Sequence, residues 1–173
     1  MEKFPRQSWT YMELIKRRAA EFGDRVFCSF ADGDELTFAE FETATNALAS
    51  GLADLGVKKA DRVLGMMYNS KAFLLTMIAV QKLGAIFVPV NTELKGAFLE
   101  HQVRNIEPRV IVSGDELRGA LDPISTDGLD IETTVSVEGG GVPLDVQLDR
   151  LTISEGIRIE GLAGRFTTAG SGL

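Results

Sequence analysis

The stretch 62–91 constrains the fold of this chain more than any other part of the sequence. An unbroken apolar run at 63–68 is followed by apolar residues at helical density over 72–83, and a second apolar run occupies 85–90. Continuous apolar runs are typical of strands that are covered on both faces, as in parallel sheets flanked by helices. The pattern predicts a βαβ unit.

A membrane-spanning helix is the alternative interpretation of residues 72–90. Their number nearly suffices to cross a bilayer. However, Lys82 lies near the middle of this stretch, and a charge at a membrane centre costs about 3 kcal/mol. Ser70 is a suitable N-cap and Gly84 a suitable helix end, which favours the βαβ interpretation. The N-terminus, MEKFPRQSWT, lacks the long apolar core of a signal peptide. The sequence therefore predicts no transmembrane segment.

The net charge of −7 is concentrated in one part of the chain. The segment 115–150 contains nine carboxylates and two arginines, an excess that equals the whole net charge. Its acidic residues are spaced singly, unlike the alternate carboxylates of a metal-binding loop, and they predict a solvated surface. The acidity argues against a nucleic-acid partner, which requires a basic surface.

The chain has a single cysteine and a single histidine, Cys28 and His101. One cysteine excludes an internal disulfide and indicates a reduced, cytoplasmic setting. Cys28 lies in a predicted strand, so a packing role is favoured over a nucleophilic one. One histidine leaves no partner for a His–His or His–Cys metal site or for a catalytic triad. His101 is interpreted as a surface or half-buried helix residue, and no catalytic or metal-binding residue is predicted.

The first segment, 1–60, reads as a helix, a β-hairpin and a second helix. Thr10 is placed to cap a helix over 11–22. Two short strands, 25–31 and 35–37, flank Asp-Gly-Asp, a hairpin signal. Thr37 is followed three residues later by Glu40, the spacing of a capping box. Apolar residues then recur every three or four positions, which predicts one buried helix face: Phe38, Phe41, Ala44, Leu48, Leu52 and Leu55.

The second segment, 61–113, completes a βαβαβ core. Asn91 or Thr92 is placed to cap a helix over about 95–105, whose predicted apolar face includes Phe98. Residues 109–113 supply a third strand. Right-handed crossovers are expected, and ligands of such sheets bind beyond the carboxyl ends of the strands. The polar residues at those ends form the predicted ligand-facing edge: Asn69-Ser70, Asn91-Thr92 and Ser113-Gly114.

The third segment, 114–160, is acidic and gives weaker signals. Residues 115–120 favour a short helix and 133–137 favour a strand. The triple glycine at 139–141 lacks the Lys-Ser/Thr of a P-loop, and no GxGxxG follows the first buried strand. Both phosphate-binding fingerprints are therefore missing from this part of the chain.

Three segments resemble elements of the adenylate-forming (AMP-dependent synthetase/ligase) superfamily. Leu36–Phe41, LTFAEF, resembles the early L-T-Y-x-E-L element, and Gln81–Asn91, QKLGAIFVPVN, resembles K-x-G-A-x-Y-V-P-L-N/D. Phe166–Leu173, FTTAGSGL, is similar to the start of the phosphate-binding loop Y-T-S-G-T-T-G-x-P-K. The sequence after 91 is most similar to that of acyl-CoA synthetases of the fatty-acid or carnitine-like ligase type.

The resemblance implies a two-step ligase reaction that uses ATP, Mg²⁺ and coenzyme A. A carboxylate attacks the α-phosphate of ATP, and the coenzyme A thiolate then displaces AMP from the acyl-AMP. The last segment, 161–173, would begin the phosphate-binding loop, in which backbone N–H groups and hydroxyls bind phosphate oxygens. Ala169 replaces a glycine of the family pattern. The implied ATP-binding residues are Thr167, Thr168, Ala169, Gly170, Ser171 and Gly172.

We therefore expect an α/β fold in which a helix–hairpin–helix precedes a βαβαβ parallel-sheet unit of flavodoxin- or Rossmann-like type. This unit would form part of a larger layered α/β N-terminal domain. The resemblance implies an N-terminal portion of a longer ligase that is inactive alone and whose partners are the rest of its polypeptide and a small carboxylic acid. An exposed apolar surface, or a homodimer that covers it, is expected for such a portion. The alternative is a free-standing α/β binding or interaction module that keeps only the scaffold of the family.

Overall fold

The computed structural model describes residues 10–30 and 33–137, together with the backbone of three later strands. Side chains are described up to residue 135. The elements are α1 (Tyr11–Phe22), β1 (Val26–Ser29), β2 (Glu35–Thr37), α2 (Phe38–Asp54), β3 (Arg62–Met66), α3 (Lys71–Lys82), β4 (Ile86–Pro89), α4 (Gly96–Ile106), β5 (Val110–Gly114), a 3-10 turn (Asp115–Leu117), α5 (Arg118–Leu121), β6 (Thr133–Val137), β7 (Asp145–Gln147), β8 (Arg150–Ser154) and β9 (Ile157–Glu160).

The helix–hairpin–helix and the βαβαβ unit are both present, so the predicted fold class is confirmed. Strands β1 and β2 pair antiparallel as a separate hairpin. The main sheet has the order β4-β3-β5-β6-β9-β8-β7, and its first four strands are parallel. Among the residues that the structure describes, no helix is both long enough and apolar enough to cross a bilayer.

The central strands β3 and β5 are buried on both faces, which explains their continuous apolar sequences. Val63 and Val110 face the first core, which α2 and α3 cover together with the aromatic ring of Phe41. Leu64 and Ile111 face the second core, which α4 and α5 cover. Because successive residues of a strand point to opposite faces, a strand between two cores needs an apolar residue at every position.

Strand β4 departs from the predicted burial. Its sequence is as apolar as that of β3, but Ile86 is 50% exposed. The expectation that both faces of this strand are buried was wrong, because among the described strands β4 pairs with β3 alone and lies at the edge of the sheet.

A glycine of β3 makes room for an aromatic ring of β4. A Cβ added to Gly65 would overlap the ring of Phe87. Phe87 in turn packs edge-on against Phe73 of α3, with ring centroids 5.4 Å apart. This close approach joins the edge strand to the first core.

Three predicted helix caps are confirmed. The hydroxyls of Thr10 and Ser70 each accept a hydrogen bond from the backbone three residues ahead, at 3.2 Å. Thr37 and Glu40 form the complete capping box, in which the backbone N–H of Thr37 donates to the Glu40 carboxylate at 2.8 Å. These bonds hold the pKa of Glu40 below its ordinary value.

The predicted cap of α4 was wrong. This helix begins at Gly96, and the N-cap residue, Lys95, makes no side-chain capping bond. The Oδ1 atom of Asn91 instead accepts from the backbone N–H of Glu93 at 2.9 Å. Asn91 therefore closes the turn that follows β4, a local bond that competes with capping.

The short helix and the strand predicted in the acidic segment are both present, as the 3-10 turn with α5 and as β6. Strands β7, β8 and β9 were not predicted. They extend the sheet in the antiparallel sense beyond β6. In β9 apolar and charged residues alternate, Ile157-Arg158-Ile159-Glu160, and this alternation is the sequence signal that could have revealed it.

Two buried threonines allow a matched test of the first core. Thr45 is fully buried, and its hydroxyl donates to the Phe41 carbonyl at 2.7 Å. Thr76 is 1% exposed, and its hydroxyl has no hydrogen-bond partner. We expect Thr76→Val to raise the free energy of unfolding by about 1 kcal/mol, because it removes an unpaired buried hydroxyl. Thr45→Val should lower the free energy of unfolding by about 1 kcal/mol, because it removes a buried hydrogen bond.

Urea unfolding of both variants measures the two changes. Both substitutions lie within a helix and exchange the same pair of residues, so differences in helix propensity cancel. Equal destabilisation by the two variants would contradict the assignment of Thr76 as an unpaired polar group.

Candidate functional site

The carboxyl edge of the parallel strands is the candidate functional site. The connection from β3 to β4 packs α3 on one face, and the connection from β4 to β5 packs α4 on the other. The strand order β4-β3-β5 therefore reverses direction at β3. A crevice opens where two neighbouring strands send their connections to opposite faces, and ligands of such sheets bind there. Met66 and Ser113 are register partners at the carboxyl ends of β3 and β5, where this rule places the crevice.

The structure brings the predicted edge residues together at the carboxyl ends of β3, β4 and β5. Two of them already serve the backbone, because Ser70 caps α3 and Asn91 closes its turn. Asn69 is exposed and Thr92 is half-buried. Ser70 and Asn91 therefore shape the edge, and they offer less hydrogen-bonding capacity to a ligand than the sequence suggested.

The end of β5 combines a buried hydroxyl with a carboxylate. Ser113 is fully buried, and its Oγ atom has no hydrogen-bond partner. Beside it, a Cβ added to Gly114 would lie 2.6 Å from an Oε atom of Glu116. The Glu116 carboxylate is therefore folded back against the end of the strand. Sequence reasoning named Ser113 and Gly114 but missed Glu116, whose position depends on the turn that begins at Asp115.

Two aromatic side chains project from segments that leave this edge. Tyr68 follows β3 and is 51% exposed, and Phe98 in the first turn of α4 is 79% exposed. The sequence placed Phe98 on the apolar face of its helix, which was wrong. The buried face consists of Leu99, Val103 and Ile106. Their spacing of four and three residues is the signal that distinguishes them from Phe98.

Cys28 lies in β1 and has the environment of a packing residue. It is half-buried and packs against the first core. Burial raises the pKa of its thiol, and the charge of Lys71 opposes this rise in part. Lys71 itself pairs with Asp34 at 2.6 Å. A protonated thiol is a poor nucleophile, so the packing interpretation of Cys28 is favoured.

No metal centre is formed by the residues that the structure describes. They contain no group of three or more histidine, cysteine, aspartate or glutamate side chains that could hold a metal ion. His101 is exposed on α4. The predicted phosphate-binding residues Thr167, Thr168, Ala169, Gly170, Ser171 and Gly172 lie outside the described residues, so their role stays a prediction.

Two clefts lie at the opposite, amino end of the strands. One of about 580 Å³ is bounded by α1, α2 and the end of α3, and one of about 340 Å³ includes Arg62 and Arg109. Their main cations are already paired. Lys82 contacts the Glu42 carboxylate at 2.8 Å, and Arg109 contacts Asp130 at 2.8 Å. The carboxyl edge therefore remains the candidate site.

The fold is that of the N-terminal domain of adenylate-forming enzymes. Residues 15–156 match the family of AMP-binding enzymes, and the chain belongs to that family. Two segments that carry the sequence resemblance can be placed in the structure. Leu36–Phe41 forms β2 and the first turn of α2, and Gln81–Asn91 contains β4.

Similar proteins include both acyl-CoA ligases and peptide synthetases. The chain is 36% identical over 108 residues to medium/long-chain-fatty-acid–CoA ligase FadD6 of Mycobacterium tuberculosis, a match that covers 62% of this chain and 18% of that protein. It is 29% identical over 132 residues to the nonribosomal peptide synthetase benY of Aspergillus terreus, covering 76% of this chain and 12% of the synthetase.

A solved structure shows the same fold. The crystal structure of the long-chain-fatty-acid-CoA ligase FadD1 from Archaeoglobus fulgidus superimposes with a TM-score of 0.68 at 25% identity. The match covers 79% of this chain and 28% of that one. The chain thus spans less than a third of each of these three proteins.

The environment of Cys28 predicts its reactivity. We expect its alkylation by iodoacetamide to rise with pH along a curve whose midpoint lies above that of the unfolded chain, because the thiolate is the reacting form. As Cys28 is the only cysteine, the rate reports one site. The unfolded chain loses this proton first, so the stability linked to Cys28 is present below the unfolded pKa and declines as the pH rises towards the folded pKa.

Alkylation in urea provides the control, since it measures the same thiol without burial. A folded-state midpoint at or below the urea midpoint would contradict the assigned environment.

Proposed function

We propose that this chain forms the N-terminal part of an AMP-forming acyl-CoA ligase. The observation that carries the proposal is the family match over 15–156, which includes the whole βαβαβ unit and its carboxyl edge. In the proposed reaction a carboxylate attacks the α-phosphate of ATP and releases pyrophosphate. The thiolate of coenzyme A then attacks the acyl carbon and displaces AMP. The higher identity to a fatty-acid–CoA ligase than to a peptide synthetase supports the acyl-CoA assignment.

The proposed ATP contact is the loop Thr167–Gly172. Its backbone N–H groups, together with the hydroxyls of Thr167, Thr168 and Ser171, suit phosphate oxygens. Ala169 makes a positive φ more costly there than glycine would. Mg²⁺ and coenzyme A belong to the same proposal, in which the metal would neutralise phosphate charge. The described residues offer Mg²⁺ no carboxylate cluster, so its ligands are proposed to lie outside them.

The described edge is proposed to act as a scaffold for that loop. Two of its polar side chains, Ser70 and Asn91, are used by the backbone, and the carboxylates of Asp115 and Glu116 follow the end of β5. Two carboxylates repel a polyphosphate, so this part of the edge is poorly suited to bind ATP by itself. We therefore propose that the chain alone has no ligase activity. A cytoplasmic location is part of the proposal and is supported by the single Cys28.

The second candidate is a free-standing binding module of the same fold. The exposed rings of Tyr68 and Phe98 favour it, because large exposed apolar side chains are suited to contact with a partner. A homodimer is the form in which such a module, or an isolated N-terminal part, would cover these rings. If the chain is part of a ligase, the rest of that polypeptide would cover the two rings instead.

Activity of the complete open reading frame that encodes this chain distinguishes the candidates. We expect ATP-dependent pyrophosphate release with a panel of carboxylic acids, followed by a thioester when coenzyme A is added. Omission of either the acid or ATP is the control. Pyrophosphate release without coenzyme A thioester would favour a peptide-synthetase type of enzyme. Absence of both products would favour the free-standing module.

Calorimetry on the 173-residue chain tests its proposed inactivity. We expect ATP with Mg²⁺ to bind with a Kd above about 1 mM, which corresponds to a binding free energy of about −4 kcal/mol, because the carboxylates of Asp115 and Glu116 follow β5 at this edge. The complete protein serves as the positive control. Micromolar affinity of the 173-residue chain would contradict the assignment of the edge as a scaffold.

A further inference from the structure

The outer side of β4 is an edge of the described sheet. Strand β4 pairs with β3 on one side only. Unpaired strand edges present backbone donors and acceptors to any other strand, and they are the usual sites of self-association. The backbone directions of β4 determine which donors and acceptors it presents on this side.

The hydrogen bonds to β3 fix those directions. The backbone N–H of Ile86 donates to the Asp61 carbonyl at 2.7 Å, and that of Val90 donates to the Gly65 carbonyl at 2.8 Å. In a strand the backbone groups of successive residues point to alternate sides. Ile86, Val88 and Val90 therefore face β3, whereas Phe87 and Pro89 face outward.

The outward-facing position 89 is a proline, which has no N–H group. From Ile86 to Val90, the outer edge consequently has a single backbone donor, that of Phe87. A second strand needs donors at alternate residues to form a continuous ladder. Pro89 is exposed, so it interrupts the ladder at a position that another chain could otherwise reach.

A second copy of this chain is the partner that such an edge would recruit. The apolar sequence Ile86–Val90 would meet itself in a symmetric pair, in which both copies contribute the same residues. Ile86 is 50% exposed and would add apolar contact. We propose that Pro89 prevents β4 from pairing with β4 of a second copy. This proposal does not depend on the ligase function.

The test compares Pro89→Thr with the unchanged chain by sedimentation equilibrium. Threonine restores the N–H and favours strands, and a symmetric pair would gain this donor twice. We expect self-association of Pro89→Thr to be at least about tenfold tighter than that of the unchanged chain. Pro123→Thr, at an exposed proline in the turn after α5, is the matched control and should leave association unchanged. Equal association of all three chains overturns the proposal.

Hydrogen exchange of the Phe87 amide tests the edge without any substitution. In the unchanged chain this amide should exchange at least about tenfold faster than that of Val88, which faces β3. In Pro89→Thr it should become protected as protein concentration rises. Adding Ile86→Lys to Pro89→Thr should reverse that protection, because a charged side chain replaces an apolar contact at the pairing edge. A protected Phe87 amide in the unchanged chain, at any concentration, overturns the proposal.

Discussion

Burial of β3 and β5 on both faces is the constraint on which the rest of the structure depends. Val63, Leu64 and Val110 are fully buried although they point to different cores. A strand in that position needs a helical layer on each side. The chain provides them by sending α3 to one face and α4 to the other. Because these two helices lie on opposite faces, a crevice is expected between β3 and β5 at their carboxyl ends. The position of the candidate site therefore follows from how the helices cover the sheet.

The sequence predicted this part well because local patterns and tertiary structure agree there. Continuous apolar runs, the caps at Thr10, Thr37 and Ser70, and the turn at Gly84 all indicate the same elements. The failures occur where an element depends on its neighbours. An apolar run does not reveal whether a strand is central or at an edge, and Ile86 was therefore expected to be buried. The proline in that run was the available clue.

The sequence predicted where the candidate site lies, but it predicted less well which side chains are available there to bind a ligand. Parallel strands place their carboxyl ends at one edge, so Asn69, Asn91 and Ser113 could be assigned to it. Whether a side chain there is free depends on hydrogen bonds that short-range patterns do not reveal. Asn91 closes its own turn, and Glu116 folds against Gly114. The assignment of Thr167–Gly172 to phosphate rests on resemblance, because glycine and hydroxyl residues alone do not specify a ligand.

The carboxylates at the carboxyl edge favour a supporting role for this edge over direct binding of phosphate. Two unit charges 4 Å apart interact by about 1 kcal/mol in water and by about 4 kcal/mol near a protein surface. The carboxylates that follow β5 therefore oppose a triphosphate that enters the crevice without cations. A ligase that uses this edge needs positive charge, or several backbone N–H groups, brought in by another segment. A glycine-rich loop supplies such N–H groups, so the carboxylates after β5 are compatible with the proposed separate phosphate loop.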